Sequence, residues 1–233
     1  MTRAIPTLLA LTALAAVATG AATGADAKRQ RDLPPRANPG EVVATELAFA
    51  RAAQDEGQWT AFADYATKDA VMFVPEPVNA QEWLKKRANP EQAVKWQPHK
   101  VWSSCDGSLA VTKGAWQRPD GSVGYFTTVW ERQKKGEYRW VLDRGDALQT
   151  PLPEPEMIAA EVATCNGKRL PDLEGNVNEA EPFYWQRVSR DGSLAVRIGP
   201  GLDGAHLTIS FVSPDGPTTT EPTPNPGDSG QGA

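Results

Sequence analysis

Residues 46–77, ELAFARAAQDEGQWTAFADYATKDAVMFVPEP, change local order twice, and those changes decide the fold class. Around their start, residues 41–56 carry an apolar side at helical period, where Val42, Leu47 and Phe49 are joined by Ala44, Ala48, Ala52 and Ala53. Gly57 stops that helix, because glycine accepts the left-handed conformation in which helices commonly end. A second short amphipathic run follows, with Trp59, Phe62, Ala63 and Ala66 on one side and Asp64 and Tyr65 near its close. AVMFVP (70–75) then reads as a short strand closed by Pro75, and NAQEWLKKRANP (79–90) predicts a third short helix. Asn79 is its N-cap, and Trp83 and Leu84 are its buried residues.

From Lys95 the period changes to two. Asp-Gly pairs begin at 106, 120, 191, 203 and 215, and this pair is a strong hairpin signal because it tolerates positive φ at both turn positions. With a further turn around Gly136, they delimit strands near 96–104, 108–118, 122–133 and 137–147, a four-strand antiparallel meander behind the helices. DGSLAV occurs twice, at 106–111 and 191–196, each time as a turn and the first half of a strand. Asp191 follows Cys165 by only 26 positions, too few to repeat the helices, so the second copy reads as a repeated hairpin and not a second functional domain. After the Pro-rich connector TPLPEPEM, IAAEVATC (158–165) is either a strand or a helical turn. FYWQRVS, SLAVRIG and AHLTISFV predict three strands of a β-rich extension (150–212) packed on the first module (39–149). Residues 213–233 hold almost no apolar side chains and read as a disordered tail.

Residues 1–27 have the form of a cleaved signal peptide: Arg3, a short apolar stretch, and Ala25-Asp26-Ala27 as the cleavage site. A flexible leader (28–38) follows, and the mature protein is expected to be exported, periplasmic or secreted, and not embedded in a membrane. In such a compartment Cys105 and Cys165 have only each other to pair with; the alternative is two free buried thiols. A net charge of -5 without a basic stripe argues against a nucleic-acid partner. Two histidines and two cysteines argue against a zinc site, and no cofactor motif is present.

The opening stretch, together with KVWSSCDGSLAVTKGAWQRPDGSVGYFTTVWERQ (100–133) and YRWVLDRGDAL (138–148), resembles nuclear transport factor 2-like (NTF2-like, or SnoaL-like) domains. The resemblance implies an α+β fold of the cystatin-like kind, a cone of three helices packed on a curved antiparallel sheet around an apolar pocket. That family includes isomerases, dehydratases, cyclases, binding proteins and scaffolds. The isomerase pattern would place its base at Val74 and its oxyanion donor at Ala50, and neither residue has the chemistry. A dehydratase-like His/Asp arrangement would fall on His99 and Asp143, the weak acid/base candidates. Pocket-lining candidates are Trp59, Phe62, Tyr65, Trp83, Trp116, Trp130 and Asp143, although any single Trp serves a helix-on-sheet core equally well. Asp143 would need a partner such as Arg144 or Lys113 if it faced the cone; otherwise it faces solvent at a strand end or caps the turn at Gly145. The expectation is a non-catalytic module that binds a small apolar or amphipathic ligand or serves as a protein-interaction module. The alternative is a pocket enzyme doing acid/base chemistry, and a homodimer through the outer sheet face is a third reading.

Overall fold

A computed structural model describes residues 36–171, 185–201 and 204–220. The signal peptide, most of the leader, the first two residues of FYWQRVS and the chain beyond 220 lie outside the described residues.

Helix α1 (Pro39–Asp55) begins on a proline, whose missing N–H costs nothing in a first turn. It buries Val42, Glu46, Phe49 and Ala53, while Leu47, expected inside, is exposed. The buried stripe therefore follows the 3–4 spacing through an acid rather than through every apolar residue. Helix α2 (Gln58–Tyr65) has Gly57 as its N-cap and so lacks a capping side chain. Asn89 supplies one from elsewhere in the chain: its Oδ1 accepts from the amides of Trp59 (2.7 Å) and Thr60 (3.2 Å). A Cβ at Gly57 would lie 2.2 Å from Asn89 Nδ2, and the backbone there has φ 104°, so two independent reasons require glycine. Helix α3 (Ala80–Leu84) is shorter than the 79–90 run read from sequence. Asn79 caps it as expected, accepting from the Glu82 amide at 3.0 Å. It stops early because Asn89 is committed to α2 and Pro90 disfavours helix at the residue before it.

Strands β1 (Ala66–Phe73), β2 (Pro77–Asn79), β3 (Lys95–Ser103), β4 (Leu109–Gln117), β5 (Val123–Arg132), β6 (Tyr138–Leu148) and β7 (Ala159–Val162) form one sheet in the order β2-β1-β6-β5-β4-β3-β7. Its centre is the antiparallel meander β3–β6; β1 joins β6, and β7 joins β3, in parallel. IAAEVATC thus resolves to an edge strand of the first sheet. A second sheet holds β8 (Trp185–Val188), β9 (Leu194–Gly201), β10 (Gly204–Ser213) and β11 (Gly216–Thr220) in the order β11-β10-β9-β8. Strand β11 corrects the reading of 213–233 as tail throughout. Its Pro/Thr composition offers little to bury, yet the Asp215-Gly216 turn folds it back onto the β10 edge, where backbone pairing holds it.

The helices lie on one face of the first sheet, around Phe49, Ala61, Met72, Trp130 and Trp140. On the opposite face Trp102, Val111, Val129 and Leu142 stand in register across four strands and pack against Trp185, Leu194, Val196, Ile198, Leu207 and Ile209 of the second sheet. The face assigned from sequence to a homodimer is therefore covered by the chain's own C-terminal strands. An apolar sheet face of this size must be covered, and an attached sheet covers it without a concentration-dependent step.

The repeat extends further than one hairpin. Ser104 and Ser189 stand two residues before Asp106 and Asp191, so the recurring unit is S-x-D-G-S-L-A-V. Both copies form the same turn. The Ser104 and Ser189 hydroxyls each donate to the Asp carboxylate (2.7 Å in both) and accept from the following Leu amide at 3.1 and 3.0 Å. Each copy joins the first two strands of a four-strand meander with the same neighbour order, β3–β6 and β8–β11, and among the described residues only the first carries helices. The bridge Cys105–Cys165 ties the first turn to the segment after β7.

Candidate functional site

Between the helices and the sheet lies a cavity of about 150 Å³ walled by Phe49, Trp59, Phe62, Trp96, Trp116 and Phe126, with Asp143 among its lining. The register explains why an acid is there. In β6, Trp140 faces the helices, and simple alternation would send Asp143 to the opposite side. A β-bulge intervenes: Trp130 pairs Trp140, but Val129 pairs Leu142, so both Val141 and Leu142 face the second sheet. Asp143 is thereby returned to the helical side, in a row with Val101, Thr112, Thr128 and Met72.

Its carboxylate Oδ2 accepts a hydrogen bond from Thr128 Oγ1 at 2.8 Å. Burial raises the Asp143 pKa to about 7; the Thr128 bond opposes the shift, and the carboxyl of Glu46 adds to it. Glu46 was missed by sequence reasoning, which treats an acid in an exposed-looking helix as solvated. The signal available was its spacing, four residues after Val42 and three before Phe49. Glu46 is fully buried, and Oε1 accepts from Trp96 Nε1 (2.8 Å) while Oε2 accepts from Thr112 Oγ1 (2.6 Å) and Trp130 Nε1 (3.0 Å). Burial raises its pKa as well, against those three hydrogen bonds. Two carboxyls thus lie on the helical side of the sheet, one lining the cavity and one behind its Trp96 wall.

Of the sequence candidates, Trp59, Phe62, Trp116 and Asp143 meet at this cavity. Tyr65 stacks on Phe49 (5.1 Å between centroids), and Trp83 packs edge-on against Trp59 (5.2 Å) beneath the Arg87 guanidinium. Trp130 is a core residue, fully buried on Glu46. His99 lines a different depression with Glu154, so it and Asp143 do not form the pair considered from sequence. Burial lowers the His99 pKa, partly offset by Glu154. Arg144, weighed as a partner of Asp143, makes an ion pair with Asp146 (3.2 Å) and lies over the Phe73 ring. Arg118 covers the Trp116 ring at 4.5 Å, so two guanidinium groups stand among the cavity lining.

No family model and no curated protein matches the chain. Similar solved structures include a putative ketosteroid isomerase from Parabacteroides distasonis, 12% identical, with 44% of this chain and 85% of that one covered and a TM-score of 0.37. A protein from Catenulispora acidiphila is 18% identical, with 47% and 94% covered and a TM-score of 0.35. A conserved protein from Planctomyces limnophilus is 14% identical, with 54% and 99% covered and a TM-score of 0.32.

Proposed function

We propose that this chain is an exported, NTF2-like ligand-binding protein whose cavity takes a small aromatic or amphipathic group and engages it through Asp143. The observation that carries the reading is the bulge-directed placement of Asp143 in an aromatic cavity. A cavity of roughly 150 Å³ suits a group of about the size of benzene. Aromatic walls supply apolar contact, and a single carboxyl able to donate or accept near neutral pH fixes orientation. Export rests on the form of residues 1–27 and agrees with the Cys105–Cys165 bridge. Native mass spectrometry of the gently purified mature protein tests the proposal. A discrete adduct released on mild activation is expected; an apo mass that persists after incubation with cell extract overturns it.

A second reading is favoured by the same carboxyl. An acid with pKa near 7 can take and return a proton at physiological pH, which is what isomerisation or dehydration of a bound molecule requires. Conversion of the released ligand during incubation, absent in Asp143→Asn, separates an enzyme from a binder.

A further inference from the structure

A second cavity, of about 690 Å³, opens where the two sheets meet, between β1, the adjoining ends of β5 and β6, and the β8–β9 turn. Four cations line it, Lys68, Arg139, Arg187 and Arg190, against two carboxylates, Asp69 and Glu131. Arg187 takes up both acids, at 2.6 Å from Asp69 and 3.6 Å from Glu131. Lys68, Arg139 and Arg190 make no ion pair among the described residues. In a chain of net charge -5, unneutralised cations gathered at one concavity are not a by-product of composition.

Two of those guanidinium groups are held in place without loss of charge. Arg139 Nη1 donates to the Asp64 carbonyl, and Arg190 Nη2 donates to the Arg132 carbonyl at 2.6 Å. A carbonyl fixes direction but neutralises nothing, and each guanidinium retains further N–H groups. The hydroxyl of Thr67, on the wall of the same cavity, is buried with no hydrogen-bond partner among the described residues. A buried hydroxyl without a partner is costly unless something meets it. Exposed cations, oriented guanidinium groups and a waiting hydroxyl together match an oxyanion, the ligand for which planar N–H forks are best suited.

From this geometry we infer a binding site for a small polyanion bearing phosphate or carboxylate groups, built by the docking of the C-terminal sheet onto the helical module. Arg190 comes from the second sheet's first turn and Lys68 and Arg139 from the first sheet, so neither half holds the site alone. The site is separate from the aromatic cavity and does not depend on the function proposed for it.

Isothermal titration of the full mature protein with inorganic pyrophosphate and, separately, with citrate tests this at constant low ionic strength. Saturable one-to-one binding of at least one probe is expected, and the stronger probe tells phosphate from carboxylate preference. Lys68→Gln combined with Arg190→Gln should weaken binding by about tenfold or more, because two charge-assisted contacts are lost. Both side chains are exposed and the change does not threaten the fold. Arg51→Gln, on the solvent side of α1, should leave binding unchanged. No saturable binding of either probe, or equal weakening by Arg51→Gln, or full binding in the Lys68/Arg190 variant, overturns the site.

Discussion

The hydroxyl of Ser193 accepts a hydrogen bond from the backbone amide of Cys105 at 2.9 Å, and its counterpart Ser108 accepts from the amide of Arg190, the counterpart of Cys105, also at 2.9 Å. The two S-x-D-G-S-L-A-V turns therefore face each other and exchange this bond in both directions, as residues do across a two-fold interface, while a further bond from the Asp106 amide to Asp191 Oδ2 (3.0 Å) runs from the first turn to the second. Both serines are buried. Ser108→Ala and Ser193→Ala should each cost about 1–3 kcal/mol, since each leaves a partly buried amide without its acceptor. Denaturant unfolding of the two single variants checks this, with the larger cost expected for Ser193→Ala, whose hydroxyl also donates to Asp191 Oδ1 at 2.8 Å.

Replacing Cys105 and Cys165 together by Ala should lower stability by about 4 kcal/mol, the loop-closure entropy expected for a link over 60 residues. The bridge adjoins the seam between sheets: Thr164 donates to the Val212 carbonyl of β10 at 2.7 Å. Proteolysis of the reduced protein should accordingly begin in the C-terminal strands, which mass spectrometry of the first fragments would show.

Glu46→Ala removes the acceptor of the Trp96 indole N–H, leaves Trp130 Nε1 only Thr112 Oγ1 (3.0 Å) and leaves the Thr112 hydroxyl only the distant Thr128 carbonyl (3.4 Å), and a loss of about 3 kcal/mol is expected. Glu46→Gln should fall between this and the native protein. Its amide can accept from one indole but must turn its NH₂ toward either Trp96 or Trp130. Thermal unfolding of the two variants, with tryptophan emission as the probe, ranks them.

For Asp143 the sign of the pH dependence is set by its raised pKa. Between the ordinary 3.8 and about 7 the folded protein keeps a proton that the unfolded chain has released. The contribution of this group to stability is thus full below that window and declines as pH rises through it, by about 1.4 kcal/mol per pH unit at most. Glu46, also raised, acts in the same direction. Asp143→Asn should flatten the decline without abolishing it, as urea unfolding at a series of pH values would reveal.

Gly124→Ala tests the cavity wall. A Cβ there would lie 2.2 Å from both the Trp116 ring and the Asp146 carbonyl oxygen, so strand and indole must separate. The expected cost is about 1–3 kcal/mol, with a shift in tryptophan emission and weakened retention of any adduct seen by native mass spectrometry.

The order of helices and hairpins was readable from residues in a row, because periodicity, Gly57, Asn79 and the Asp-Gly turns act over a few residues. The pairing of Cys105 with Cys165 followed from there being no other thiol in the chain. Four things were not readable. Glu46 is inside because two indoles and a hydroxyl from three different strands converge on it; Asp143 faces the cavity because one extra residue in β6 reverses the alternation. Strand β11 forms because a neighbouring edge was free to pair, and the outer sheet face is closed by strands some 85 positions further along the chain. Each depends on which distant backbone lies alongside. Local rules decide what an element is, whereas register and docking decide which way its side chains point and what they meet.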